Sequence, residues 1–498
     1  MENIHSYLYK EVTMTIIKTL NKYITLLLVL LFLLAACGRT TNIDNDYNEV
    51  YEQGTSAGAD NETDLNADEN HGYDANEPVI SADILREQIR PYLLSDFDYL
   101  VSELEDNMPL FGVIYRRLGV DLRDEFANVR ESIATSNSFG TNAENIEQMR
   151  RSAADFLHAN LRIATGRLQG LGHIGPLHSS MYAAILINHM TALADEECDN
   201  IIGYLNNIYS VFKDPLVMWF YQLEEDDIDF NQEGFFSTGN DPSGVHTGIV
   251  SPGEIAHISI RHAMNDVDYD RAVLLSFFEE IQGFNHLIID LRGHRGGNGA
   301  HFTETVIKPL LSAPIQVSNW EFFTNGESTQ RHIETSLALS AASSGGIFTD
   351  FEFTRYNAAD FADSRDMTYF LPQDLAGLTY AIESSAFLIP MDDGYPFHGK
   401  IWILTDSRSA SAAELAVIYA KSSGFATVVG EPTAGVMPAS THFVMLPNTG
   451  ILFRMDIGYF TDDYGRSMEE FGIAPDYPSR PRLDARQTVL EMIAEGDW

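Results

Sequence analysis

From about residue 254 onward the chain alternates short apolar runs with amphipathic stretches, and this alternation constrains its fold more than any other feature. Ile255-Ala-His-Ile-Ser-Ile, His286-Leu-Ile-Ile-Asp-Leu, Lys400-Ile-Trp-Ile-Leu-Thr and Ala426-Thr-Val-Val-Gly read as strands. Residues 267–283, 299–312 and 409–423 carry apolar residues at helical spacing. Strand–helix–strand order implies a sheet with parallel crossovers, so an α/β core is expected over residues 254–485. Upstream, residues 79–210 read as a helical domain. Ser81 supplies a cap with an early acid after it, and 142–168 and 179–210 keep helical periodicity. The segment 211–253 connects the two. Within it Pro215-Leu-Val-Met-Trp-Phe-Tyr reads as a strand and 224–246 as loop. Residues 326–399 match no template well, as an insertion would.

The N-terminus reads as an address. Residues 24–36 are an apolar run of 13 preceded by Lys18 and Lys22, a secretory signal too short for a comfortable membrane span. The run ends in Leu34-Ala-Ala-Cys37-Gly, similar to the bacterial lipobox whose cysteine is acylated. Residues 1–37 are thus expected to be a lipoprotein signal ending at Cys37, the lipid attachment site of an extracytoplasmic, membrane-anchored protein. Met14 serves equally as a start, since residues 1–13 add nothing to the signal. Residues 38–78 are polar, with eleven Asp or Glu between Thr40 and Pro78 and no Lys or Arg. Such a segment cannot bury enough surface to offset chain entropy and reads as a disordered tether.

A net charge of −41, from 72 acidic and 31 basic side chains, excludes a nucleic-acid footprint and electrostatic docking on anionic lipid. The 498 residues are enough for two or three folding units. Two cysteines, Cys37 and Cys198, form no disulfide framework and no zinc motif. Cys198 follows Asp-Glu-Glu, which disfavours a thiolate.

Three segments carry chemistry. Asp290-Leu-Arg-Gly-His-Arg-Gly-Gly-Asn298 ends a strand, and its glycines permit positive φ and close backbone approach. Thr405-Asp-Ser-Arg-Ser-Ala-Ser-Ala-Ala-Glu414 joins a strand to a helix, so a serine there sits in the positive end of the helix dipole. Leu171-Gly-His173-Ile-Gly places an imidazole between glycines, suited to a general base. Singly, a tight turn, an N-cap and a loop histidine account for them just as well.

In order along the chain, these segments, Val428-Val-Gly430-Glu-Pro-Thr-Ala-Gly435 and Glu469-Glu-Phe-Gly-Ile-Ala-Pro-Asp476 resemble tail-specific (C-terminal processing) and tricorn-core-like serine proteases. The resemblance spans roughly residues 160–480. It implies a crotonase-like βαβ core, a peptide or protein substrate, and neither metal nor cofactor. It makes Ser411, rather than Ser409, the nucleophile, with oxyanion amides from Ala412 and from Gly296 or Gly297. The tail-specific branch has a lysine base where this chain has Val436, so the lysine dyad is absent. The tricorn-like branch uses a histidine and a supporting glutamate, which His173 and Glu469 match; His442 is the rival base. His294 stands where the family usually has Asn, and Leu171-Gly172 where an Asp usually precedes the histidine. The segment 211–253 is too short for the family's PDZ module, which is expected to be absent or reduced. A catalytically lapsed peptide- or ligand-binding lipoprotein on the same fold is the alternative. A coenzyme A-binding acyl enzyme is disfavoured by the extracytoplasmic address.

Overall fold

The computed structural model describes residues 81–168, 174–178, 214–222, 244–261, 267–296, 299–343, 351–437 and 440–496. The signal, Cys37, the tether and the helical expectation for 179–210 lie outside the described residues.

Four helices open the described chain: α1 (Ala82–Asn107), α2 (Phe111–Leu118), α3 (Leu122–Thr135) and α4 (Ile146–Thr165). Polar side chains cap three of them. Ser81 accepts from the Ile84 amide, Asp121 from Arg123 and Asn145 from Gln148. Helix α4 buries Met149, Ala153, Leu157 and Leu161, a stripe at i, i+4 spacing. After it comes a two-residue strand, β1 (Gly175–Pro176). Pro215–Tyr221, expected to be a strand, is instead a helix, α5. Pro215 occupies the first helical turn and Asp214 caps it by accepting from the Leu216 amide at 2.8 Å. A seven-residue apolar run has no period that separates strand from helix, and the cap decides it.

The expected parallel crossovers are present. A six-stranded sheet runs in the order β13-β9-β8-β4-β3-β2. Its strands are β2 (Val245–Ser251), β3 (Ile255–Ile260), β4 (His286–Asp290), β8 (Lys400–Thr405), β9 (Thr427–Gly430) and β13 (Tyr477–Pro478). Pairs β3–β4, β4–β8, β8–β9 and β9–β13 are parallel, and only β2 is antiparallel to its neighbour. All five residues of β4 are buried, because helices cover both faces. On one face lie α6 (Val267–Glu280), α7 (Gly299–Phe302) with the π-helical turn Thr303–Ile307 that continues it, and α9 (Ala412–Ser423). On the other, α11 (Ala485–Glu495) packs Val489 and Met492 against Ile288 and Trp402.

The unassigned stretch 326–399 forms helix α8 (Glu327–Ser343), strands β6 (Phe351–Asn357) and β7 (Tyr380–Leu388), and two short helices between them. With β5 (Ile315–Phe323) and β12 (Gly458–Phe460) these strands make an antiparallel sheet, β12-β5-β7-β6. A third sheet, β1-β11-β10, joins β1 to the hairpin of β10 (Thr441–Met445) and β11 (Leu452–Asp456). Helix α10 (Met468–Phe471) follows β12.

The helices are not a separate body. Leu93, Phe97 and Leu157 share one apolar cluster with Phe322, Phe443 and Tyr459. Asp96, fully buried on α1, fixes the joint. Its Oδ1 accepts from the Asn448 amide (2.8 Å) and side chain (2.7 Å), and its Oδ2 from the Thr449 amide (2.8 Å) and hydroxyl (2.7 Å), all in the turn of the β10–β11 hairpin. Asp96→Ala strands those donors in a dry interface. It should cost about 3 kcal/mol, read as a lower urea midpoint at unchanged slope. A loss below about 1 kcal/mol would show that water replaces the carboxylate.

Candidate active site

Parallel strands β4 and β8 lie side by side with Asp290 opposite Leu404, so the turns after them emerge together at the carboxyl edge of the sheet, where open α/β sheets place their ligands. Several bonds lock the turns to each other. The Leu291 amide donates to Leu404 O (3.0 Å), the Gly293 amide to Asp406 Oδ1 (2.9 Å), the Ala410 amide to His294 O (2.9 Å), and the Ser409 hydroxyl to Leu291 O (2.8 Å). Ser409 is thereby committed to structure.

Ser411 is different. It stands immediately before α9, at the positive end of the helix dipole, with φ 55° and ψ −115°. A positive φ is uncommon for a residue with a Cβ and costs on the order of 1–3 kcal/mol. Three features hold it there. Its amide donates both to Val436 O and to Glu414 Oε2, each at 2.9 Å, and Gly296 leaves room beside it. A Cβ on Gly296, whose φ is +103°, would lie 2.7 Å from the Ser411 Cβ and 3.1 Å from its Oγ. Among the described residues no group accepts from the Ala412 amide, which suits it to stabilise an oxyanion.

Glu414 is the residue whose importance the sequence did not reveal; within its motif it reads as one more helix position. Its side chain is fully buried. Besides the Ser411 amide it accepts from Thr433 Oγ1 (2.6 Å) and the Gly435 amide (2.8 Å), and so brings the 433–436 loop against the nucleophile turn. Burial pushes its carboxyl up to about 7, against the pull of those donors. Val436, where the tail-specific branch has lysine, accepts from the Ser411 amide through its carbonyl.

The other predicted residues are placed unevenly. In the glycine turn the Gly296 amide donates to His294 Nδ1 at 3.0 Å, so in this conformation it is committed to that ring. His294 itself is fully buried and braces the turn. Gly297 and His173 lie outside the described residues. His442 is on β10, as expected; burial drives its pKa down to about 4, with the neighbouring His332 and Arg331 adding to the fall, and leaves a neutral ring. Glu469, on α10, is buried with Oε1 accepting from the Phe460 amide (2.6 Å) and Oε2 from the Ser467 hydroxyl (3.0 Å). Burial raises its carboxyl to about 8. No group of three or more His, Cys, Asp or Glu able to hold a metal ion occurs among the described residues.

These turns, loop and helix fall within one recognisable segment. Residues 254–479 match peptidase family S41. The S41 match covers the six-stranded sheet apart from β2 and includes Ser411, Glu414 and Glu469, and it indicates a peptidase, a hydrolase of peptide bonds. Over about four-fifths of its length the chain is also similar to solved structures. A candidate peptidase from Parabacteroides merdae shares 16% identity with a TM-score of 0.41, covering 81% of this chain and 92% of that one. A lipoprotein from Streptococcus agalactiae shares 13% at 0.38, covering 82% and 96%. Mature CPAF complexed with lactacystin shares 12% at 0.44, covering 82% and 97%. At such identities and scores none of the three carries a residue role over to this chain.

The raised carboxyl of Glu469 predicts a pH dependence. Between its ordinary value of 4.5 and about 8 the native state keeps a proton that the unfolded chain has shed. Stability therefore falls as pH rises through that window. Glu469→Gln should flatten the fall between about pH 5 and 8, by up to about 1.4 kcal/mol per pH unit, in urea titrations. An unchanged slope would mean that Glu469 is ionised throughout.

Proposed function

We propose that the chain is a serine endopeptidase, exported and held to the membrane through a lipid on Cys37, that cleaves peptide bonds with a Ser411–His173–Glu469 site. The observation that carries the reading is the backbone of Ser411: a left-handed serine at a helix start, walled by a glycine, with the Ala412 amide unpaired among the described residues. His173 takes the hydroxyl proton as Ser411 attacks the substrate carbonyl. The Ala412 amide, together with the Gly297 amide or a Gly296 amide released from His294, holds the oxyanion; such a donor contributes about 3 kcal/mol. The leaving amine takes the proton from His173, and water resolves the acyl-enzyme. Glu469 supports the imidazole. One feature favours this base: Val436 supplies no amine. The crotonase-like description of the core rests on its parallel strand order.

Ser411→Ala should leave the thermal midpoint within a degree or two and abolish both cleavage of an unfolded protein and labelling by a fluorophosphonate. His173→Ala should slow acylation about ten-thousand-fold. Undiminished cleavage by Ser411→Ala sinks the assignment. One observation favours a second reading, a lapsed enzyme that only binds peptides: the Gly296 amide is turned onto His294. In that case wild-type protein binds peptide but takes up no fluorophosphonate.

For the anchor, Cys37→Ala should move the protein from the membrane fraction to the soluble fraction of its host. Among the described residues no helix is long and apolar enough to cross a membrane. Retention of the variant in membranes would rule the lipid out.

A further inference from the structure

The 433–436 loop has two sides. One faces the nucleophile turn, giving the Val436 carbonyl to Ser411 and the Gly435 amide and Thr433 hydroxyl to Glu414. The other presents the carbonyls of Ala434 and Gly435, and both are taken by one side chain from the helical unit. Arg117, near the end of α2, donates from Nη2 to Ala434 O (2.5 Å) and from Nη1 to Gly435 O (3.3 Å). The same Nη1 reaches the carbonyl of Glu469. The fit is close: a Cβ on Gly435, whose φ is +73°, would lie 2.6 Å from Arg117 Nη1 and 2.9 Å from Glu469 O.

Two features set Arg117 apart from an ordinary ion pair. Its hydrogen bonds go to backbone carbonyls, whereas its neighbour Arg116 bonds the carboxylates of Asp374 and Glu470. Its guanidinium is also half-buried and partly desolvated, with the carboxyl groups of Glu414, Glu469 and Glu470 nearby. A planar, multi-donor fork can span three carbonyls on two segments, which a lysine ammonium cannot do in the same geometry.

The geometry points to Arg117 as a positioning residue: it clamps the 433–436 loop and the Glu469 backbone onto the helical unit, and so holds the Ser411 turn in its reactive conformation. The hydrogen bonds of Arg117 go to Ala434 O, Gly435 O and Glu469 O, not to Ser411. It acts through Val436 and Glu414 on the nucleophile, and through the Glu469 backbone on the proposed support of the base. This role rests on the peptidase reading for its kinetic consequence but not for its structural one.

The test uses the full chain with Arg117→Lys and Arg117→Ala, and Arg116→Gln as the comparison. Fluorophosphonate labelling of Ser411, turnover of fluorescein-labelled casein, the thermal midpoint and amide exchange are read on each. Both Arg117 variants should lose about 100-fold in labelling rate and kcat, as an ångström-scale misplacement does, with KM within about twofold. Free guanidinium at non-denaturing concentration should restore part of the Arg117→Ala loss, which a merely destabilised protein would not show. Amides of Ser411 and Gly435 should exchange faster in the Arg117 variants than in Arg116→Gln. Wild-type labelling rates in folded Arg117→Ala, or losses that simply follow the thermal midpoint and resist guanidinium, overturn the assignment. If wild-type protein neither labels nor cleaves, the peptidase reading fails, and amide exchange in Arg117→Lys decides alone: faster exchange at Ser411 and Gly435 upholds the clamp, and unchanged exchange overturns it.

Discussion

The buried carboxylate of Glu414 is the constraint on which the site depends. A carboxylate taken wholly out of water is costly unless donors replace the lost hydration. Here three donors come from two places in the chain: the Ser411 amide, and the Thr433 hydroxyl and Gly435 amide of the 433–436 loop. Satisfying the acid therefore means assembling the loops. The same bond opposes the backbone strain at Ser411, whose left-handed conformation has no intrinsic stability of its own. The serine's backbone is thus fixed by two acceptors, Val436 O and Glu414 Oε2.

Around this centre the buried polar groups form a graded series. Asp96 and Glu414 are satisfied by donors fixed on neighbouring turns, and Glu469 by one backbone amide and one hydroxyl. Glu321, on β5, accepts from both the amide and the hydroxyl of Ser440 and is likewise raised by burial to about 7. Arg117 completes the series with the opposite sign, donating where the carboxylates accept. These polar contacts add to the apolar clusters that already join the sheets.

The parallel core could be read from the sequence because strands covered on both faces carry continuous apolar runs, as β4 does over Leu287–Ile289 and β8 over Ile401–Leu404. Ser411 was legible from the small residues that crowd a helix start. Other features left no such trace. Pro215–Tyr221 is apolar along its whole length, so only the capping Asp214 distinguishes helix from strand. Strands β5, β6 and β7 mix polar and apolar residues, since the antiparallel sheet they form is exposed along part of its surface, and the stretch that holds two of them therefore matched no template. The Arg117 clamp is invisible in principle: carbonyl acceptors exist at every residue, so no residue type marks its partners. The glycine turn was legible as a turn, but the use of the Gly296 amide by His294 needed coordinates.

The spacing of these contacts along the chain has a consequence for synthesis. Asp96 meets Asn448 across 352 positions, and Arg117 meets Glu469 across the same number. Neither can form until nearly the whole polypeptide has been made. A nascent chain therefore carries Ser411 for many residues before the contacts around it can form. The order of synthesis thus delays assembly of the proposed site until its last contacts have arrived.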